Sequence, residues 1–138
     1  MRKAFSDPEI KLIFDAYSDA VREKLLDIRE LIFQISEQND EIGLIDETLK
    51  WGQPSYLTYQ PKSGTTLRLS GSEHHYILSV HCQTTLISDF RAIYPDVEYD
   101  GNRSMLFDVE SKMPKGLLKH FIVCALSYHH RKKQPLKY

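Results

Sequence analysis

Thr65-Thr66-Leu67-Arg68-Leu69-Ser70 and His75-Tyr76-Ile77-Leu78-Ser79-Val80-His81, joined by Gly71-Ser72-Glu73-His74, decide the fold. In the first run Leu67 and Leu69 alternate with Arg68, the period of a strand with one buried face and Arg68 turned outward. In the second, Tyr76, Leu78 and Val80 share one face while His75, Ile77, Ser79 and His81 share the other. Alternating runs joined by a short turn form an antiparallel pair, and strand-like runs continue on both sides. Upstream, Tyr56-Leu57-Thr58-Tyr59 has strong strand propensity between two turn signals, Gly52-Gln53-Pro54 and Pro61-Lys62-Ser63-Gly64. Downstream, Val97-Glu98-Tyr99 and Ser104-Met105-Leu106-Phe107-Asp108-Val109 flank Asp100-Gly101-Asn102, the strongest hairpin signal in the chain.

Helical patterning lies on either side of these strands. Ser6-Asp7-Pro8-Glu9 is a helix start, with Ser6 as the expected cap, Glu9 completing a capping box and Pro8 in the first turn. Ile10, Phe14, Tyr17, Val21, Leu25, Ile28, Leu31, Ile32 and Ile35 then recur at helical spacing. Tyr17-Ser18-Asp19 divides this region into two helices, the second capped by Ser18, and Gln38-Asn39-Asp40 ends it. Thr84 or Thr85 caps a short helix carrying Leu86, Ile87, Phe90 and Ile93, which Tyr94-Pro95-Asp96 closes. Met113-Pro114 opens a last helix with Leu118, Phe121, Ile122, Ala125 and Leu126 on one face. Helices, a strand meander and a closing helix predict a two-layer α+β domain over residues 1–138, its antiparallel sheet having about five strands.

Composition narrows the function classes. Eighteen basic residues against 19 acidic ones give a net charge of −1, which is no footprint for nucleic acid or an anionic membrane. The basic run His129-His130-Arg131-Lys132-Lys133, with Lys137, reads as a solvated cationic end favoured by a helix dipole. No apolar run approaches membrane-spanning length, and the start has no signal-peptide core. Cys82 and Cys124 form no C-x-x-C pair, so free thiols in a reducing cytoplasm are expected.

The segment Glu47-Thr48-Leu49-Lys50-Trp51-Gly52-Gln53-Pro54-Ser55-Tyr56 holds the only tryptophan, with opposite charges and a second aromatic beside a turn. Rigid aromatic area next to fixed charge suits recognition of a ligand or a protein partner, and burial as core is the competing reading. This block resembles the signature of the YdhG-like family, a bacterial domain of unknown function. Gly101-Asn102-Arg103 resembles that family's second motif, Leu117–His129 its closing helix, and Tyr17–Phe33 its leading helix. The resemblance implies helices packed on an antiparallel sheet. It also implies weight at Glu47, Lys50, Trp51, Gly52, Pro54, Tyr56, Gly101 and Arg103, none with an established catalytic role. Some relatives are described as frataxin-like iron chaperones, so iron is the cofactor or cargo that the resemblance suggests.

Strand parity places Arg103 with Met105, Phe107 and Val109, so its stem is expected to face apolar neighbours and to need a carboxylate, Glu47 being the candidate. The competing expectation is an anion-binding corner of Arg103 and Lys50. Candidate metal ligands are scattered: His120 with Cys124, four apart on a helix; His75 with His81; and the carboxylates Asp15, Asp19, Asp40, Glu41 and Glu47. No nucleophile elbow, zinc-protease helix, P-loop or dinucleotide fingerprint is present, and adjacent His81 and Cys82 point to opposite strand faces. The expected function is therefore binding of a small anionic molecule or a protein partner through Glu47, Lys50, Trp51, Pro54, Tyr56 and Arg103. A metal chaperone and an enzyme of unassigned reaction are the alternatives, and the sheet face bearing Arg68, Ile77 and Ser79 is the expected homodimer surface.

Overall fold

Proline decides where the first helix starts. With Pro8 at the first helical position, the capping residue is the one before it, and Asp7 rather than Ser6 accepts the Glu9 N–H at 2.9 Å. In the computed structural model, which describes residues 2–131, helix α1 spans Pro8–Asp15. Ser18 caps the longer α2, Asp19–Gln38, as its spacing predicted. The cationic positions Lys132, Lys133 and Lys137 lie outside the described residues.

After a single 3-10 turn, Asp40–Ile42, the chain enters six strands: β1 Leu44–Lys50, β2 Gln53–Tyr59, β3 Leu67–Gly71, β4 His75–Ser79, β5 Glu98–Asp100 and β6 Ser104–Asp108. Helix α3, Leu86–Ile93, separates β4 from β5, while α4, Lys115–Leu126, and the short α5, Tyr128–Arg131, follow β6. The strands form one antiparallel sheet in the order β1-β2-β3-β4-β6-β5. Leu67, Leu69, Tyr76, Leu78 and Met105 point inward, fully buried against the helical layer with Val21, Leu25, Ile28, Phe121 and Ile122. This is the expected α+β architecture, with β1 as the strand that propensity did not mark. Ile93 departs from its expected buried stripe and is exposed.

The expected turn at Gly52-Gln53-Pro54 sits one residue earlier. Lys50 pairs with Gln53, so Trp51 and Gly52 alone make the loop, and both have positive φ, 57° and 72°. Such two-residue loops match the twist of paired strands. Pro54 is already inside β2, opposite Leu49. The alternation of the ladder puts it at a non-hydrogen-bonded position, where its missing N–H costs the β1–β2 pairing nothing.

The link from β2 to β3 is tied to the end of α4. The Ser63 hydroxyl shares its one proton between the carbonyls of Ile42 and Leu126, both within hydrogen-bond distance, and Thr65 N–H donates to Ala125 O at 2.9 Å. Ser63 O in turn accepts from His129 N–H at 2.8 Å. A Cβ on Gly64 would lie 2.5 Å from the Leu126 backbone, so only glycine permits this approach. These bonds bring Tyr128 and His129 beside the β3 end of the sheet.

Candidate functional site

Residue parity splits the Glu47–Tyr56 segment between two faces. Glu47 pairs with Tyr56 and Leu49 with Pro54, and Tyr56 is also paired with the inward Leu67, so this set faces the helices. Lys50 pairs with Gln53, and Thr48 with Ser55, which is paired with the outward Arg68, so this set faces away from them. One hairpin therefore builds two different things.

On the helix side it builds a brace. Arg29, 1% exposed, reaches from α2 to Glu47 and forms a two-point ion pair: Nε to Oε2 at 2.5 Å and Nη2 to Oε1 at 2.9 Å. The Tyr56 hydroxyl donates to the same carboxylate at 2.7 Å. Arg29 also donates to the carbonyls of Lys3 and Ala4, and its guanidinium lies 3.9 Å from the centroid of the Phe5 ring. Burial alone would lower the Arg29 pKa, but the hydrogen bonds and charge of Glu47 outweigh it and hold the guanidinium above its ordinary value. Burial, then the adjacent carboxylate, push the Tyr56 hydroxyl well above its ordinary value, so it remains a donor. These groups are spent on one another.

Arg103 takes no part in this brace. It lies exposed in the turn between β5 and β6, and its backbone carbonyl accepts the Val80 N–H at 2.8 Å. The strand begins at Ser104, so the parity expected for Arg103 does not apply, and the partner of Glu47 is Arg29. Nor does Arg103 meet Lys50 in a common corner, since Lys50 ends β1 at one edge of the sheet, Arg103 sits in the turn between β5 and β6, and Arg103 does not line the cavity that Lys50 lines.

On the other side the hairpin tip borders a cavity of about 520 Å³. Four segments line it: Lys50 and Trp51 at the tip; Lys62, Gly64, Thr65, Thr66 and Arg68 leading into and along β3; His81, Gln83 and Thr84 after β4; and Tyr128 and His129 of α5. Three full cations and two histidines line it, and no aspartate or glutamate does. None of the ion pairs among the described residues involves Lys50, Lys62 or Arg68. The Trp51 indole is 88% exposed. Arg68 stands in a row with Ser55, Ser79 and Ser104 across the sheet, the two latter hydroxyls 2.7 Å apart.

No protein-family model matches the chain, and no curated protein matches it. Among solved structures, the chain is similar to YdhG, a protein of the DUF1801 family from Bacillus subtilis. The two are 15% identical with a TM-score of 0.62, over 85% of this chain and 87% of that one. The fold is YdhG-like.

In this YdhG-like frame the candidate metal ligands stay apart. His120 Nδ1 lies 3.0 Å from the Tyr94 hydroxyl, and Cys124 is buried in the core. His75 is 3.5 Å from Glu98, while His81 Nδ1 accepts the Gln83 N–H. Asp15 is paired with Lys11, Asp19 with Arg22 and Glu41 with His130. Among the described residues no three such groups converge as a metal cluster. No helix among them is long and apolar enough to cross a membrane.

Two parts of the site escaped the sequence reading. Arg29 was one, although its position carried a signal: it lies four residues after Leu25 and four before Phe33, a lone charge within an apolar stripe. Lys62, Arg68, His81 and His129 were the other. Their convergence depends on strand register and on the tether from Ser63 to α4, which leave no local pattern.

Proposed function

We propose that this protein binds a small anionic molecule in the groove between the β1–β2 hairpin tip, β3 and α5, with Lys50, Lys62 and Arg68 as its charge partners. The observation that carries this reading is the one-signed lining: three cations without a carboxylate among them, in a chain whose net charge is −1. Clustered like charges repel one another, and low-dielectric walls concentrate their field into the cleft, so an anion relieves a local cost. The volume of about 520 Å³ is in the range of small-molecule sites. Glu47, Pro54 and Tyr56 support the hairpin from behind and make no contact with the ligand, and Arg103 lies outside.

Isothermal calorimetry with inorganic phosphate and with a panel of phosphorylated and carboxylated metabolites tests the proposal. Binding should weaken as salt rises, and Arg68→Gln should weaken it about tenfold with little change in melting temperature, as expected for loss of a charge-assisted contact. A panel in which no anion binds, or binding indifferent to Arg68→Gln and Lys50→Gln, refutes the groove as an anion site.

A further inference from the structure

We propose that the ligand of this groove is an aromatic phosphate of mononucleotide size, its ring stacked on Trp51 and its phosphate held by Lys50, Lys62 and Arg68. This rests on the anion reading above and adds what the non-charged part of the ligand is. The central observation is the placement of Trp51. It is the only tryptophan in the chain, it is 88% exposed, and it occupies the first position of a two-residue turn at φ 57°. A bulky residue in that backbone region is a steric outlier, and Asn or Asp is the usual occupant. Folding therefore gains little from this indole and is strained by it, a combination that points to use by something outside the fold.

The rest of the geometry agrees. The tip presents the indole on the border of the same cavity that the cations line, so a ring on Trp51 and a phosphate at Arg68 belong to one ligand of moderate length. Tyr128, buried in the core with its hydroxyl fixed by the Thr85 N–H at 3.2 Å, closes the cavity on the α5 side and leaves Trp51 as its exposed aromatic. Three full cations suit a doubly charged phosphate better than a single carboxylate. A stacked ring strengthens binding about fivefold to a hundredfold without reading base identity, because every planar ring offers a π face.

Because Trp51 is the sole tryptophan, its fluorescence reports the contact directly. Adenosine monophosphate should quench and blue-shift the emission, whereas ribose 5-phosphate should bind with little spectral change. By calorimetry the nucleotide should bind at least about fivefold more tightly than the sugar phosphate. Trp51→Asn, which suits the turn, should erase that ratio while leaving ribose 5-phosphate binding intact, and Trp51→Phe should restore part of it. Equal affinities for the two phosphates, or a ratio unmoved by Trp51→Asn, would overturn the stacking proposal. The anion groove would then stand if Arg68→Gln still weakened both; failure of every phosphate while a carboxylate binds overturns this proposal alone, and failure of every anion removes both readings together. Binding of a single-stranded oligonucleotide far more tightly than the mononucleotide would also overturn the proposal, replacing a small ligand with a nucleic-acid strand.

Discussion

Arg29 and Glu47 are joined by two hydrogen bonds in a site where both side chains are nearly inaccessible, 1% and 5% exposed. The pair crosses from α2 to β1, the edge strand of the sheet, and Tyr56 of β2 closes it with a third bond. A charge buried in this way is tolerable only with its partner in place, because each ion alone keeps its desolvation cost. Arg29→Met should therefore lower unfolding free energy by about 3–5 kcal/mol, and Glu47→Leu by a comparable amount. The double variant Arg29→Met with Glu47→Leu should lose clearly less than the sum of the two single losses. Urea unfolding of all variants, read as a double-mutant cycle, checks this. Additive losses would mean that the brace contributes nothing as a pair.

Tyr76 gives the fold an alkaline limit. It is fully buried, its hydroxyl has no hydrogen-bond partner among the described residues, and burial pushes its pKa up to about 12. The folded state thus holds this proton more tightly than the unfolded chain, whose tyrosines release it near 10. Its contribution is fully present below about pH 10 and is lost as pH rises through about 12, at about 1.4 kcal/mol per unit. Tyr56, also raised by burial, acts with the same sign. Stability measured by urea titration should be level up to pH 9.5 and fall steeply from there. Tyr76→Phe should reduce that fall and, by removing a hydroxyl that bonds to nothing, should match or exceed the parent by up to about 1 kcal/mol at pH 7.

The tether between the β2–β3 link and α4 should be as sensitive as a core position. Ser63→Ala leaves two carbonyls, those of Ile42 and Leu126, without their donor and should cost about 1–3 kcal/mol. Gly64→Ala forces backbone apart where a Cβ would sit 2.5 Å from Leu126, and should cost at least as much. Both changes should also speed hydrogen exchange at Thr65 and His129, whose N–H groups are bonded within the tether. Normal stability with unchanged exchange would show that the tether is dispensable.

What the chain revealed before folding was whatever has a local period. Leu67 and Leu69 against Arg68, and Ser18 before the stripe of α2, are decided within a few residues, and the structure keeps them. Strand β1 was hidden because Glu47, a charge, takes an inward position that an apolar residue would normally hold. Only Arg29, on a different element, makes that position tolerable. Arg103 misled for the converse reason: alternation extended one residue too far makes a turn residue look inward. The cationic groove is less legible still, since Lys50, Lys62, Arg68 and His129 share nothing but the register that gathers them.

The turn at Trp51 should reveal a trade between stability and binding. At φ 57°, a non-glycine residue with a bulky side chain is strained by about 1 kcal/mol or more, and the exposed indole recovers little by packing. Asn followed by glycine is the favoured pair for a two-residue hairpin, and Gly52 is already in place with φ 72°. Trp51→Asn should therefore raise unfolding free energy by about 0.5–1 kcal/mol, seen as a higher urea midpoint at unchanged slope. The same substitution removes the proposed stacking surface, so greater stability should coincide with weaker binding of aromatic anions. A lower midpoint would instead mean that the indole packs against the hairpin and is retained for the fold. Higher stability at no cost in binding would leave the strain at Trp51 without a use.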